Sequence, residues 1–184
     1  ESIRQWCEKF GSGYVRKLKR REGRLGDCWH LDEIFLRING NLQYLWRAVD
    51  QDGDVIDILV QPQRDQRAAE RFFRRLLRRQ RIEPLRIFTD KLRSYSAAIR
   101  TILPNVTHIV EEYANSRAEV SHQWTRQRER QMRRFKSSRH AQRFLSLHDA
   151  VHNLFRMGRH LLRSSNHRLL RSRSFAVWHE VTAA

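Results

Sequence analysis

The chain has 184 residues, 40% apolar and 10% aromatic, with seven Gly and three Pro, which suits one folded domain with a real core and argues against extended disorder. Its 37 Lys and Arg against 20 Asp and Glu leave a formal charge of +17, so a polyanion is the expected partner and nucleic acid the leading one. No apolar run is long enough to cross a bilayer, and no signal peptide, lipidation motif or basic amphipathic anchor points to a membrane.

Taken in order, Ile3, Trp6, Cys7 and Phe10 recur at helical spacing, and Gly11 and Gly13 close the run, so a helix is expected over 1–10. The chain opens at Glu1 rather than Met, so an upstream piece is expected to be missing. Residues 14–24 form a basic connector, either a solvated linker helix or a phosphate contact. Cys7 and Cys28 lack metal-ligand spacing and suit the reduced thiols of a cytosolic protein.

Residues 28–38, 42–49 and 54–61 are rich in β-branched, aromatic and other apolar residues. They are joined by Asn39-Gly40 and Asp52-Gly53, so an antiparallel meander is expected. Asp50, Asp52 and Asp54 resemble a calcium loop only superficially. The Gly is misplaced and Gln61 stands where a bidentate Glu belongs, so a plain turn is the reading.

Asp65 is placed to cap a helix reaching about Arg81, with Ala68, Ala69, Phe72, Phe73, Leu76 and Leu77 on one face and mostly arginine on the other. A strand over 85–89 follows Pro84 and stops at Asp90. A helix over 94–103 is broken by Pro104-Asn105, and a fifth strand covers 106–110. Another helix is expected from Asn115 to about Phe135, with Glu119 in its first turns. A long amphipathic helix then runs from Ser138 to about Arg163, and a basic, weakly patterned tail starts at Ser164.

The Asp32-Glu33 pair stands in the middle of an otherwise apolar strand, where an ionised carboxylate needs a partner or a metal. Adjacent strand residues face opposite sides, so only one of the two is expected to join a cluster; Asp32 is the choice, with Glu33 paired to an arginine. The order of three antiparallel strands, helix, strand, helix, strand, helix is that of the ribonuclease H-like fold. This is an α/β class, the fold of retroviral integrases, with a mixed five-stranded sheet flanked by helices. In such a sheet Asp32 and Asp90 lie side by side and a packed helix supplies Glu119. Three clustered carboxylates repel one another, which two hard divalent cations relieve by sharing the oxygens.

Several short motifs now resemble one family. They are Trp29-His30-Leu31-Asp32-Glu33, then Tyr44-Leu45-Trp46-Arg47-Ala48-Val49-Asp50 with Gly53, Arg67-Ala68-Ala69 with Phe72, and Thr89-Asp90-Lys91 with Tyr95. Further on stand Tyr113, Asn115, Glu119 and His122, then Phe135-Lys136-Ser137. Each is weak alone, but in this order, over nearly the whole chain, they resemble the DDE transposases of bacterial insertion sequences, specifically the insertion-sequence-six family. The resemblance assigns the catalytic, metal-holding triad to Asp32, Asp90 and Glu119, with two Mg²⁺ ions for which Mn²⁺ substitutes. It places a DNA-touching basic residue at Arg126, two helical turns beyond Glu119.

Around that triad several side chains keep two readings. Lys91 either holds a phosphate or pairs with an acid, and His122 either touches DNA or packs its helix. Arg130, Arg133 and Lys136 extend a basic DNA-binding face from Arg126, and residues 64–81 supply another.

The resemblance implies metal-dependent cleavage at insertion-sequence ends and strand transfer into target DNA, by a homodimer or higher synaptic oligomer in the bacterial cytoplasm at the nucleoid. It divides the chain into a remnant of an N-terminal helix-turn-helix module with its linker (1–24), a catalytic domain (25–163) and a basic tail (164–184). Two alternatives stand beside it: an inactive DNA-binding remnant, and a ribonuclease H-like nuclease that cuts without joining.

Overall fold

The computed structural model describes residues 3–21, 23, 26–110, 123, 125–130, 135–157 and 162–183. The Asn39-Gly40 turn sets the sheet. Both residues take positive φ (50° and 80°), the backbone a two-residue hairpin turn needs to match strand twist. It joins β1 (Cys28–Ile38) to β2 (Asn41–Asp50) in antiparallel register, with Ile38 opposite Asn41 and Asp32 opposite Arg47. β3 (Val55–Gln61) pairs antiparallel with β2. Its turn is held by Asp50, whose Oδ1 accepts the backbone N–H groups of Asp52 (3.0 Å) and Asp54 (2.9 Å), so that carboxylate is used by turn chemistry.

The chain then crosses over twice. α2 (Gln66–Gln80) starts at Asp65, whose carboxylate accepts the Ala68 N–H at 2.7 Å. β4 (Arg86–Thr89) lies parallel to β1, α3 (Arg93–Ile102) follows, and β5 (Thr107–Val110) lies parallel to β4. The strand order is β3-β2-β1-β4-β5, a mixed sheet with helices, and this is the ribonuclease H-like architecture.

One side of the sheet is packed by α2 and α3. Trp29 and Leu31 of β1, Trp46 and Ala48 of β2 and Ile56 of β3 meet Phe72, Phe73 and Leu76 of α2 and Tyr95, Ala98 and Ile99 of α3 in one fully buried cluster. Tyr95 is enclosed edge-on by Trp46 (5.3 Å between ring centres) and Phe73 (6.3 Å). Burying a side chain of this size contributes about 2–3 kcal/mol, so α3 is firmly seated next to the end of β4.

Two compact units are present, residues 24–142 and residues 1–23 with 143–184. This differs from the linear division expected at 24 and 163. α1 (Ile3–Lys19) does not stop at Gly11 and Gly13 but continues to Lys19. Gly11 is buried in the middle of this helix, beside Leu147. α4 (Ser138–Phe155) ends earlier than the expected Arg163.

The supposed tail is a helix, α5 (Ser164–Thr182), in the same unit as α1. Its Val181 is buried with Leu18 of α1 and Ala150 of α4, and Trp178 packs against them. Most of the expected Asn115–Phe135 helix lies outside the described residues; 125–130 are helical.

Candidate active site

β1 and β4 run side by side, paired from Cys28 opposite Arg86 to Leu31 opposite Thr89. Asp32 and Asp90 each stand one residue past that last rung. Residues 58 positions apart by number thus become neighbours through parallel register. The ladder ends there because Asp90 turns away. Its Oδ1 accepts the Leu92 N–H at 3.0 Å, and its backbone carbonyl accepts the Thr89 hydroxyl at 2.9 Å. Thr89 Oγ1 also lies 2.8 Å from His108 Nε2. Burial holds the His108 pKa below its usual value.

Asp32, Glu33 and Asp90 bring carboxylate oxygens within 4.8 Å of one another. This corrects the expectation that strand alternation admits only one of Asp32 and Glu33. Alternation does hold for the stems. Glu33 follows Trp29 and Leu31 on the helix-covered side, and Asp32 lies on the other side opposite Arg47. Past Thr89, however, β1 has no partner on its β4 side. Both carboxylates lean around that open edge toward Asp90.

Glu33 is almost completely buried and fully engaged. One oxygen is bound by Arg64, and the other accepts the Tyr95 hydroxyl at 3.0 Å. Burial, and then the charge of Asp90, raises the Glu33 pKa, while Arg64 and Tyr95 pull it back down. Burial and the three carboxylates push the Tyr95 phenol far above its usual value, so it remains a proton donor. Arg64 also lies over the Phe35 ring, 5.3 Å from its centre, and approaches Asp90 at 3.7 Å. The Asp32 Oδ1 accepts the Glu33 N–H at 2.8 Å.

Asp32, Glu33 and Asp90 converge in a half-buried setting, with oxygen as their ligand atom. That donor set fits a hard divalent cation such as Mg²⁺ or Mn²⁺, since neither thiol nor imidazole enters the group.

The remaining sequence-selected residues divide by position. Lys91 is exposed beside Asp90, Arg126 and Arg130 are exposed on the 125–130 helical stretch, and Lys136 is exposed just before α4. Glu119, His122 and Arg133 lie outside the described residues. Sequence reasoning missed Arg64, Tyr95 and Arg47 as parts of the site. Arg47 is 2% exposed, faces Asp32 across the β1–β2 ladder, and donates to the fully buried Thr125 hydroxyl at 3.1 Å. The available signal was a lone charge inside the apolar run Leu45-Trp46-Arg47-Ala48-Val49.

The sheet order, with carboxylates at the β1–β4 edge, defines a ribonuclease H-like domain. The chain belongs to a transposase family: a family model of the IS240 type, described as a DDE domain, matches residues 26–158. It is 24% identical over 186 aligned positions to the Staphylococcus aureus transposase for insertion sequence-like element IS431mec, covering 98% of this chain and 78% of that protein. The same figures hold for the S. aureus transposase of insertion sequence element IS257 in transposon Tn4003.

Among solved structures, the catalytic core domain of BIV integrase aligns at TM-score 0.47 and 14% identity, over 82% of this chain and 98% of that one. The HTLV-2 integrase catalytic core domain in complex with magnesium aligns at TM-score 0.48 and 12% identity, over 78% and 94%.

Proposed function

We propose that this chain is the catalytic part of a DNA transposase, which cuts at insertion-sequence ends and joins the freed 3′-OH to target DNA. The approach of Asp32 to Asp90 at the open β1–β4 edge carries this reading, together with membership in a DDE domain family. Asp32 and Asp90 would hold divalent cations, Mg²⁺ or Mn²⁺, with Glu119 completing the set. When bound, such ions activate the attacking oxygen and stabilise the leaving one in phosphoryl transfer. The protein's share of the work is to hold these oxygens still. Leu92 N–H and the Thr89 hydroxyl orient Asp90, and the β1 backbone orients Asp32. No covalent link between protein and DNA is required.

Lys91, His122, Arg126, Arg130, Arg133 and Lys136 are proposed to contact phosphates, as are the arginines of α2. Such contacts fix the position of the duplex without reading its sequence. The formal charge of +17 supports a salt-sensitive hold on DNA. Action on two ends calls for a homodimer or larger synaptic assembly, at the bacterial nucleoid. The division into a DNA-binding remnant (1–24), catalytic domain (25–163) and basic tail (164–184) remains a proposal about function.

The test is strand transfer of a labelled, pre-nicked DNA end into plasmid with Mg²⁺ or Mn²⁺, comparing this chain with Asp90→Asn. A joined product lost in the variant is expected. DNA binding without product from either protein would favour an inactive remnant, and cutting without joining would favour a nuclease.

A further inference from the structure

Three carboxylates lie close enough together for a cation to choose among them, yet phosphoryl transfer needs one fixed set of ligands. We propose that Arg64 is a positioning residue that withholds Glu33 from the cation, so that Glu33 does not compete with Asp90 for it. The inference rests on the metal-site reading above.

Both Glu33 oxygens are already committed, one to Arg64 and the other to Tyr95 at 3.0 Å. The Glu33 side chain is 1% exposed, so no water competes for those partners. Arg64 does not hold Asp90 in the same way. Its Nη2 stands 3.7 Å from Asp90 Oδ2, beyond hydrogen-bonding distance, and the Asp90 side chain remains 36% exposed. The guanidinium thus neutralises the inner acid and leaves the outer one available.

Its own position is fixed from three sides. Phe35 lies under the guanidinium, Glu33 anchors its tip, and the next residue, Asp65, caps α2. Tyr95 transmits the rigidity of the core to the same point, because Trp46 and Phe73 pack edge-on against its ring.

A merely structural Arg64 and a withholding Arg64 predict opposite metal behaviour. If Arg64 only stabilises the fold, its loss loosens the site and weakens cation binding. If it withholds Glu33, its loss frees an extra carboxylate, so binding tightens while strand transfer falls.

The probe is Mn²⁺ alone, titrated by calorimetry or electron paramagnetic resonance at pH 8 into the full 184-residue chain. Freeing the Glu33 carboxylate as a further oxygen ligand predicts that Arg64→Ala binds Mn²⁺ about three- to tenfold tighter. Arg64→Lys keeps the charge and stays near the parent value. Arg64→Ala combined with Glu33→Gln returns to the parent value, because the freed ligand is gone. If Arg64→Ala does not fold by circular dichroism, Arg64→Gln replaces it, with smaller tightening expected.

Unchanged or weaker Mn²⁺ binding in the folded Arg64 variant would overturn the proposal. So would tightening that persists in the double variant. Asp90→Asn separates the two levels of the argument. If it leaves Mn²⁺ binding intact, the metal-site reading fails; if it abolishes binding while Arg64→Ala changes nothing, only the role of Arg64 fails.

Discussion

Two buried carboxylates in this sheet are met by arginines, and the charge around them balances in opposite ways. Asp57 on β3 receives two guanidinium groups from α2, Arg75 and Arg79, each at 2.8 Å and each on its own oxygen. Glu33 on β1 receives one, Arg64, which also faces Asp90, with Asp32 a third acid close by. The Asp57 cluster is closed: its oxygens are filled, its charge is more than matched, and it ties α2 to the sheet. The Glu33 cluster instead brings three acids together, their oxygens close enough for a small cation to join them. Buried acids therefore mark a candidate site where several converge rather than where one is closed off by its own pair of arginines.

Breaking the open cluster should give the largest effect. Asp32→Asn is expected to lower strand transfer by at least about a thousandfold, as for removal of one member of a catalytic unit. Its fold should be retained, since Asn keeps the shape of the side chain. An assay of joined product beside a melting curve checks both halves.

Breaking the closed cluster should do the reverse. Asp57→Ala removes the acceptor of two partly exposed arginines and is expected to cost about 1–2 kcal/mol of stability. Strand transfer per folded molecule should hold. Urea unfolding measures the loss, and a large fall in activity at full folding would break the contrast.

Tyr95→Phe is a finer probe, removing one hydroxyl from the Glu33 side while keeping the ring in the core. It is expected to cost about 1 kcal/mol in urea unfolding.

The smallest effect concerns acid. Burial depresses the His108 pKa below the usual 6.5, so the folded protein resists protonating it. The stability tied to the neutral imidazole is complete above 6.5 and is lost as pH falls through the depressed value. His108→Gln should flatten the stability profile in that range. An unchanged slope would show that His108 does not govern it.

The sheet was legible because its punctuation is local. Asn39-Gly40 and Asp52-Gly53 mark hairpins whatever surrounds them, and Asp90 directly follows a short apolar strand. The nearness of Asp32 to Asp90 then follows from parallel register. What stayed hidden depends on contacts between distant segments. Arg64 looks like one arginine among many, and only the folded chain sets it over Phe35 against Glu33. Alternation misled about Glu33 because the rule describes stems, while carboxylates reach around an open strand edge.

Helix α5 carried little signal. Its start has no side-chain cap, and Leu169 and Phe175 are exposed while Val181 supplies the burial. Gly usually stops a helix, yet α1 runs on through Gly11 and Gly13 to Lys19, where its packed face decides the length.

The difference between the two acid clusters is tested most directly by the shift in thermal unfolding midpoint on adding Mn²⁺ to the parent chain, Asp32→Asn and Asp57→Asn. A cation that binds only the folded state raises the midpoint. The expected result is an upward shift in the parent and in Asp57→Asn, and none in Asp32→Asn. An equal shift in all three would place the cation elsewhere and contradict the assignment of the β1–β4 edge as the metal site.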